Sequence, residues 1–223
     1  MHSLAVQKNT TVWERIYSKR EAGSSQSYPC EDLIITINRY CSGLETAGTK
    51  VLDVGFGCGN NLKFLARKGF DCYGVEVSRS AVETASENLA GEGLRAVLKP
   101  IENHHYPFPD HFFDIVVAWN SLPYTDEESL QSALSEVKRT LKPGGMFFAT
   151  FATFKDSRVT EGRKISERTF EVTLSNQKGS VIHAAKDEEQ VRKLFGLFER
   201  LEIGYSEITV KGVTISHWIL YGR

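Results

Sequence analysis

The chain has 223 residues, with 27 Lys and Arg against 28 Asp and Glu for a formal net charge of −1, and 41% of its residues are hydrophobic. A chain of this length buries roughly 70% of its unfolded surface as one domain. Without a long run of like charge it carries no arm that neutralises phosphates, so neither nucleic acid nor a membrane is expected as a partner.

Cys30, Cys41, Cys58 and Cys72 show neither C-x-x-C spacing nor paired histidines nearby, which argues against a structural zinc or a disulfide framework. No basic flank runs into an apolar stretch near Met1, and nowhere do eighteen apolar residues follow one another, so a cytoplasmic location is expected.

In chain order, residues 1–49 predict a helix over 12–19, a loop over 22–29 and a second helix over 31–40. This segment either packs on the edge of the domain formed by the remaining residues or folds over it as a helical lid. From Lys50 onward, short apolar runs alternate with amphipathic stretches, the pattern of a parallel sheet covered by helices on both faces. Strands are predicted over 50–54, 72–77, 94–99, 113–119 and 146–151. Helices are predicted over 61–68, from Ser78 to the Gly91 and Gly93 pair, and over 126–141. Ser78 has the chemistry of an N-cap, and Lys142-Pro143-Gly144-Gly145 stops the third of these helices. Segments 169–174 and 180–184 read as a hairpin inserted near 168–184. A helix over 187–195 and strands over 198–206 and 213–221 complete an α/β chain, organised as a segment 1–49 and a domain 50–223.

Ligands of open parallel sheets bind outside the carboxyl ends of the strands, where the first strand ends. Here that end is Asp53-Val54-Gly55-Phe56-Gly57-Cys58-Gly59. Counting from Gly55, the sixth position is Asn60 rather than the third glycine of a dinucleotide fingerprint. Asp53 would repel a pyrophosphate yet could hold an ammonium. Glu76 closes the second strand, where a carboxylate can accept both ribose hydroxyls. An oxidoreductase is disfavoured further because no Y-x-x-x-K pair occurs.

VLDVGFGCG at 51–59, GVEVS at 74–78, IENHHYPFPDHFFDIVVAWN at 101–120 and LKPGG at 141–145 together resemble the class I S-adenosylmethionine-dependent methyltransferases. The resemblance implies a Rossmann-like, doubly wound, seven-stranded sheet in the order 3-2-1-4-5-7-6 with the last strand antiparallel. The implied cofactor is S-adenosyl-L-methionine and the implied product S-adenosyl-L-homocysteine. Carried over residue by residue, it implies cofactor contacts from Asp53, Gly55, Phe56 and Gly57 in the first motif and ribose contacts from Glu76. Val77 would pack on adenine, with Glu102 and the backbone of Asn103 near its amino group. Asn120 and Ser121 would lie beneath the methionine portion. Glu102 departs from the usual Asp. Trp13, Tyr17 and Tyr28 resemble the aromatic lid residues of small-molecule members, where ring faces could attract a sulfonium; as ordinary packing aromatics they would look the same.

The implied activity is methyl transfer to an O or N atom of a small-molecule acceptor, by a monomer or weak homodimer; a catalytically silent relative that only binds the cofactor or a partner would share these motifs. Should a base be needed, Tyr124, His104, His105 and His183 are candidates by location, with Tyr124 and His183 foremost. Asn120-Ser121-Leu122-Pro123-Tyr124 does not fit the N-P-P-Y motif of amino-group methyltransferases, since two residues separate Asn120 from Pro123. No metal is expected, because no His and carboxylate ligands cluster at useful spacing.

Overall fold

The protein is described as a computed structural model over residues 3–19, 28–102 and 105–223. Two helices, α1 (Leu4–Ser18) and α2 (Glu31–Tyr40), precede the sheet. The first is longer than its hydrophobic pattern announces, because Ser3 caps it by accepting from the Val6 N–H. Five strands then alternate with three helices: β1 (Lys50–Val54), α3 (Asn60–Arg67), β2 (Asp71–Glu76), α4 (Arg79–Ala90), β3 (Val97–Pro100), β4 (Phe113–Ala118), α5 (Glu127–Thr140) and β5 (Leu141–Thr153). Ser78 caps α4 and Asp126 caps α5, each side chain accepting from a backbone N–H three residues on.

Beyond β5 come a short helix α6 (Ser157–Thr160), strands β6 (Arg163–Lys164), β7 (Thr169–Glu171) and β8 (Val181–Ala185), then α7 (Glu188–Leu194) and a hairpin of β9 (Leu201–Val210) and β10 (Val213–Gly222). The path through the sheet is β3-β2-β1-β4-β5-β8-β7-β6, with β10 also on β5 and β9 on β10. Counting β9 and β10 as sixth and seventh gives the expected 3-2-1-4-5-7-6, with β10 antiparallel to β5 from Gly222↔Phe147 to His217↔Ala152. Where β10 leaves β5, β8 joins it in parallel through Ala152↔Ala184 and Thr153↔Ala185.

Two boundaries differ from expectation for local reasons. β5 reaches back to Leu141, which pairs with Phe113, and the Pro-Gly-Gly run is absorbed as a register shift between Phe113 and Ile115. The sixth strand starts at Leu201 rather than 198 because Phe198 turns inward and stacks on Phe147, ring centroids 4.5 Å apart.

The alternation of side chains along the central strands divides the core into two layers. Leu52, Val116 and Phe147 face Leu130, Leu134 and Val137 of α5. Val51, Ile115 and Phe148 face Leu33, Leu62 and Leu65 of α2 and α3. Each fully buried Leu, Val or Phe contributes about 1.5–3 kcal/mol, and this double cover fixes the strand ends on which the site is built. Asp114, the polar exception in β4, accepts from the Lys50 N–H at 2.9 Å and from Lys142 Nζ at 2.6 Å. Arg139 ties the turn before β4 to α5, donating to the carbonyls of Tyr106 and Phe108 and to Asp110 and Glu136. Among the described residues, no helix is long and apolar enough to cross a membrane.

Candidate functional site

The loop from β1 to α3 turns back over the sheet through left-handed glycines, Gly55 at φ 71° and Gly57 at φ 53°. Both conformations favour glycine, and space requires it too. A Cβ on Gly55 would lie 2.4 Å from Ser121 Cβ, and one on Gly57 would lie 2.6 Å from the Tyr17 hydroxyl. The Gly57 N–H donates to Glu76 Oε2 at 2.9 Å, while Glu76 Oε1 accepts from Val77 at 2.7 Å and Ser78 at 3.1 Å. Burial raises the Glu76 pKa, against the pull of these three bonds.

Asp53 stands behind the loop, 1% exposed, and neither carboxylate oxygen has a hydrogen-bond partner. Burial, and then the neighbouring Glu76, push its pKa up to about 8.

In front of the loop opens a cavity of about 110 Å³. Its floor is the strand ends, with Gly55, Glu76 and Val77 on one side and Asn120, Ser121 and Leu122 on the other. Its roof is α1, which presents Val6, Asn9, Thr10, Trp13 and Tyr17. Trp13 stacks on Tyr17 at 5.8 Å and meets the edge of Tyr124 at 4.8 Å. Burial, reinforced by Glu76, holds the Tyr17 hydroxyl well above the ordinary tyrosine pKa.

The roof is anchored on both sides of the cavity. Glu14 accepts from the hydroxyls of Ser78 and Ser80 at 2.7 and 2.5 Å, at the start of α4. Asn9 donates to the Val181 carbonyl at 3.0 Å and accepts from the Val181 N–H at 2.7 Å, and Lys8 pairs with Glu171 at 2.5 Å.

Asn120 has a left-handed backbone at φ 58°, and Thr150 of β5 fixes it. The Thr150 hydroxyl accepts from the Asn120 N–H at 2.8 Å and donates to its Oδ1 at 3.0 Å. Tyr124 donates to Gln177 Oε1 at 2.9 Å and accepts from Arg158 Nη1 at 2.5 Å. Arg158 in turn grips buried Asp156 through Nε at 2.7 Å and Nη2 at 2.6 Å, with His217 Nε2 at 2.9 Å. Burial raises the Tyr124 pKa, and Arg158 only partly offsets it.

Of the residues singled out from sequence, Trp13, Tyr17, Gly55, Glu76, Val77, Asn120, Ser121 and Tyr124 share the cavity wall. Phe56 does not; it is a core residue beneath Gly74, where a Cβ would meet its ring at 2.4 Å. Tyr28 is 83% exposed, and among the described residues its carbonyl is engaged by Asn60 Nδ2. Glu102 is exposed beside Arg79 at 3.9 Å, and His105 is exposed beside Glu136 at 3.4 Å. Asn103 and His104 lie outside the described residues.

His183 points into the layer around Phe151, with Nδ1 on Thr169 Oγ1 at 3.0 Å, and burial lowers its pKa to about 4. Sequence reasoning missed Val6, Asn9 and Thr10. Their spacing with Trp13 and Tyr17 is that of one helical face, which Ser3 as a cap could have disclosed.

Residues 51–145 match the family described as a methyltransferase domain. The chain is similar to the methyltransferase GfsG of Streptomyces halstedii, 37% identical over 103 residues, which are 45% of this chain and 36% of that protein. It is also similar to an uncharacterized methyltransferase of Geobacillus kaustophilus, 28% identical over 145 residues, 65% of each. It thus spans about a third of the first relative's length and just under two thirds of the second's. The crystal structure of a SAM-dependent methyltransferase from Methanosarcina mazei has the same fold, with a TM-score of 0.66 at 20% identity over 83% of this chain and 95% of that one. Residues 51–145 thus carry the sequence of a class I S-adenosylmethionine-dependent methyltransferase domain, a family whose cofactor is S-adenosylmethionine.

Proposed function

We propose that the chain binds S-adenosylmethionine across the Gly55–Gly57 loop and catalyses transfer of its methyl group to an oxygen or nitrogen atom of a small-molecule acceptor. The observation that carries this reading is the Asp53 carboxylate, buried and without a partner behind a loop that admits no side chain. A buried unpaired carboxylate is costly, and an amino-acid ammonium is the kind of group that relieves it, whereas a pyrophosphate would be repelled.

The other residues fit the same molecule. Glu76 Oε2 accepts a single N–H and keeps a lone pair for a ribose hydroxyl. Val77 and Ile101 supply apolar surface for adenine, and the unpartnered Ser121 hydroxyl lies at the methionine end. When bound, the cofactor supplies an electrophilic methyl group on a positively charged sulfur.

The chain's own part is positioning and exclusion of water. Alignment of acceptor and donor can supply up to ~7–11 kcal/mol of barrier lowering. Since the sulfonium charge disperses in the transition state, a carboxylate beside sulfur would stabilise the ground state more; Asp53 and Glu76 belong instead to the ammonium and the ribose. In this reading α1 is the cover, its Trp13 and Tyr17 faces serving the cation. Tyr124, kept protonated by burial, orients the acceptor by hydrogen bonding rather than acting as a base.

Calorimetry with S-adenosylmethionine, S-adenosylhomocysteine and NAD tests the cofactor, and transfer of labelled methyl to a panel of small acceptors tests the reaction. Binding of NAD in preference to the other two would overturn the reading. Tight cofactor binding with no transfer across a broad panel would leave a binding protein instead of an enzyme.

A further inference from the structure

The walls of the cavity also bear on the acceptor. Among the described residues that line it there is no Lys, Arg or His, and Glu76 is the only acid. That acid is already engaged by three backbone N–H groups. Arg158 stands behind the Tyr124 wall, with Nη1 spent on the Tyr124 hydroxyl and the rest of its guanidinium on Asp156 and His217, and is not a lining residue. What remains is apolar surface from Val6, Leu122, Ala133 and the Trp13 ring, the Asn9 and Asn120 side chains bonded to Val181 and Thr150, and hydroxyl groups. Three of these have no partner among the described residues: Ser121 Oγ, assigned above to the cofactor, and Thr125 Oγ1 and Tyr106 OH, on residues 3% and 0% exposed.

Buried hydroxyls without partners are the exception in folded proteins. In a ligand site they are the groups that fix orientation within an otherwise apolar pocket. A carboxylate or phosphate entering such a cavity would lose its water without meeting a cation, and with the cofactor's ammonium at Asp53 a second ammonium would meet no free carboxylate. A neutral hydroxyl or carbonyl would meet the unpartnered hydroxyls of Thr125 and Tyr106.

Building on the cofactor reading, we infer that the acceptor is an uncharged molecule with an apolar, ring-sized body, held through a hydroxyl or carbonyl oxygen by the unpartnered hydroxyls of the cavity. The selectivity lies in what the wall lacks: any charged form of the same body is excluded by desolvation.

Three naphthalenes of matched shape test this: 2-naphthol, 2-naphthoate and 2-naphthylmethylammonium, titrated by calorimetry with and without S-adenosylhomocysteine. The expected result is 2-naphthol binding at least about tenfold more tightly than either ion, with the preference reduced several-fold in Thr125→Val. Equal or tighter binding of either ion, or binding of none of the three, overturns the inference. Val6→Arg, at the half-buried rim, should shift the preference toward 2-naphthoate, and an unchanged order in that variant also counts against it. Absence of S-adenosylhomocysteine binding would sink the cofactor reading instead, while the titrations without it still decide the charge preference.

Discussion

The Gly57 N–H and Glu76 Oε2 meet at 2.9 Å, so the loop after β1 and the acid that ends β2 are one hydrogen-bonded unit. Glu76→Ala strips an acceptor from three backbone N–H groups at once. Hydrogen bonds to a charged group contribute about 1.5–3 kcal/mol each. We expect S-adenosylhomocysteine affinity to fall at least about tenfold, with a smaller loss in Glu76→Gln, which keeps one acceptor oxygen. Calorimetry on the two variants decides it, and unchanged affinity in Glu76→Ala would discredit the ribose role.

Asp53 gives the ligand-free protein a pH dependence of definite sign. Its folded pKa is raised to about 8 by burial and then by Glu76, well above the ordinary carboxylate value. The folded state therefore holds a proton that the unfolded state releases, and stability from this group is full at low pH and is lost as pH rises toward 8. Asp53→Asn should flatten that decline in thermal melts between about pH 6.5 and pH 8, above the range in which the buried histidines act. A bound ammonium favours the ionised form, so S-adenosylhomocysteine binding near pH 7 should release a proton, measurable as a buffer-dependent binding enthalpy. The variant should lack that release.

Gly55→Ala and Gly48→Ala separate strain from collision. Both positions have positive φ, but a Cβ at Gly48 meets nothing within 4 Å whereas one at Gly55 strikes Ser121. The left-handed backbone alone costs about 1–2 kcal/mol for a non-glycine residue, and overpacking adds about 1–3 kcal/mol. Urea denaturation should show the larger loss for Gly55→Ala, together with loss of cofactor binding that Gly48→Ala does not share.

Asp156 and Arg158 form the most deeply buried ion pair described, at 2.6 Å. Arg158→Met leaves Asp156 charged and without its cation, an arrangement that costs about 3–5 kcal/mol, and it leaves the Tyr124 hydroxyl with Gln177 alone. His217 beside this pair and His183 on β8 both have pKa values lowered to about 4, by burial first and then by Arg158 and Arg168 respectively. The unfolded chain takes up protons on these residues that the fold refuses, so their stabilisation is present above about pH 6.5 and is lost as pH falls toward 4. Melting temperature measured from pH 7 to pH 4 should drop, and less steeply in His183→Gln.

Asn9→Leu removes both hydrogen bonds to Val181 and leaves a backbone donor and acceptor without a partner at the edge of β8. An unsatisfied buried group costs about 1–3 kcal/mol. Hydrogen exchange at Val181 and proteolysis within α1 should both accelerate. KM for the acceptor should rise more than kcat falls, since the helix forms the cavity roof.

How much the sequence disclosed depends on the range of the forces involved. The cap at Ser78, the strand at 50–54 and the β1–α3 glycine turn depend on neighbours within a few residues and are legible in the sequence. So is the sheet order, because the motifs that resemble the family carry it.

Other features turn on partners far along the chain. Whether Tyr28 presents its ring or its carbonyl depends on Asn60. His183 sits in the core because β8 joins β5 in parallel, a pairing of only two residue pairs. Phe56 and Gly57 are adjacent, yet one fills the space beneath Gly74 and the other turns against the Tyr17 hydroxyl of α1. The helix at 31–40 was read to the residue, whereas α1 was shortened to 12–19, since Val6, Asn9 and Thr10 declare their face only once β8 is there to receive Asn9.

The two-sided anchoring of α1 also orders events in time. The helix is synthesised ahead of everything that holds it, and its anchors at Glu171 and Val181 are separated from it by more than 160 residues. A fifteen-residue helix is marginal in water by itself, so until β8 is made α1 has only the Glu14 anchor at the start of α4. The site is roofed only after the strand on the far side has been made, and a chain cut short before Val181 would form most of the sheet with its cavity standing open.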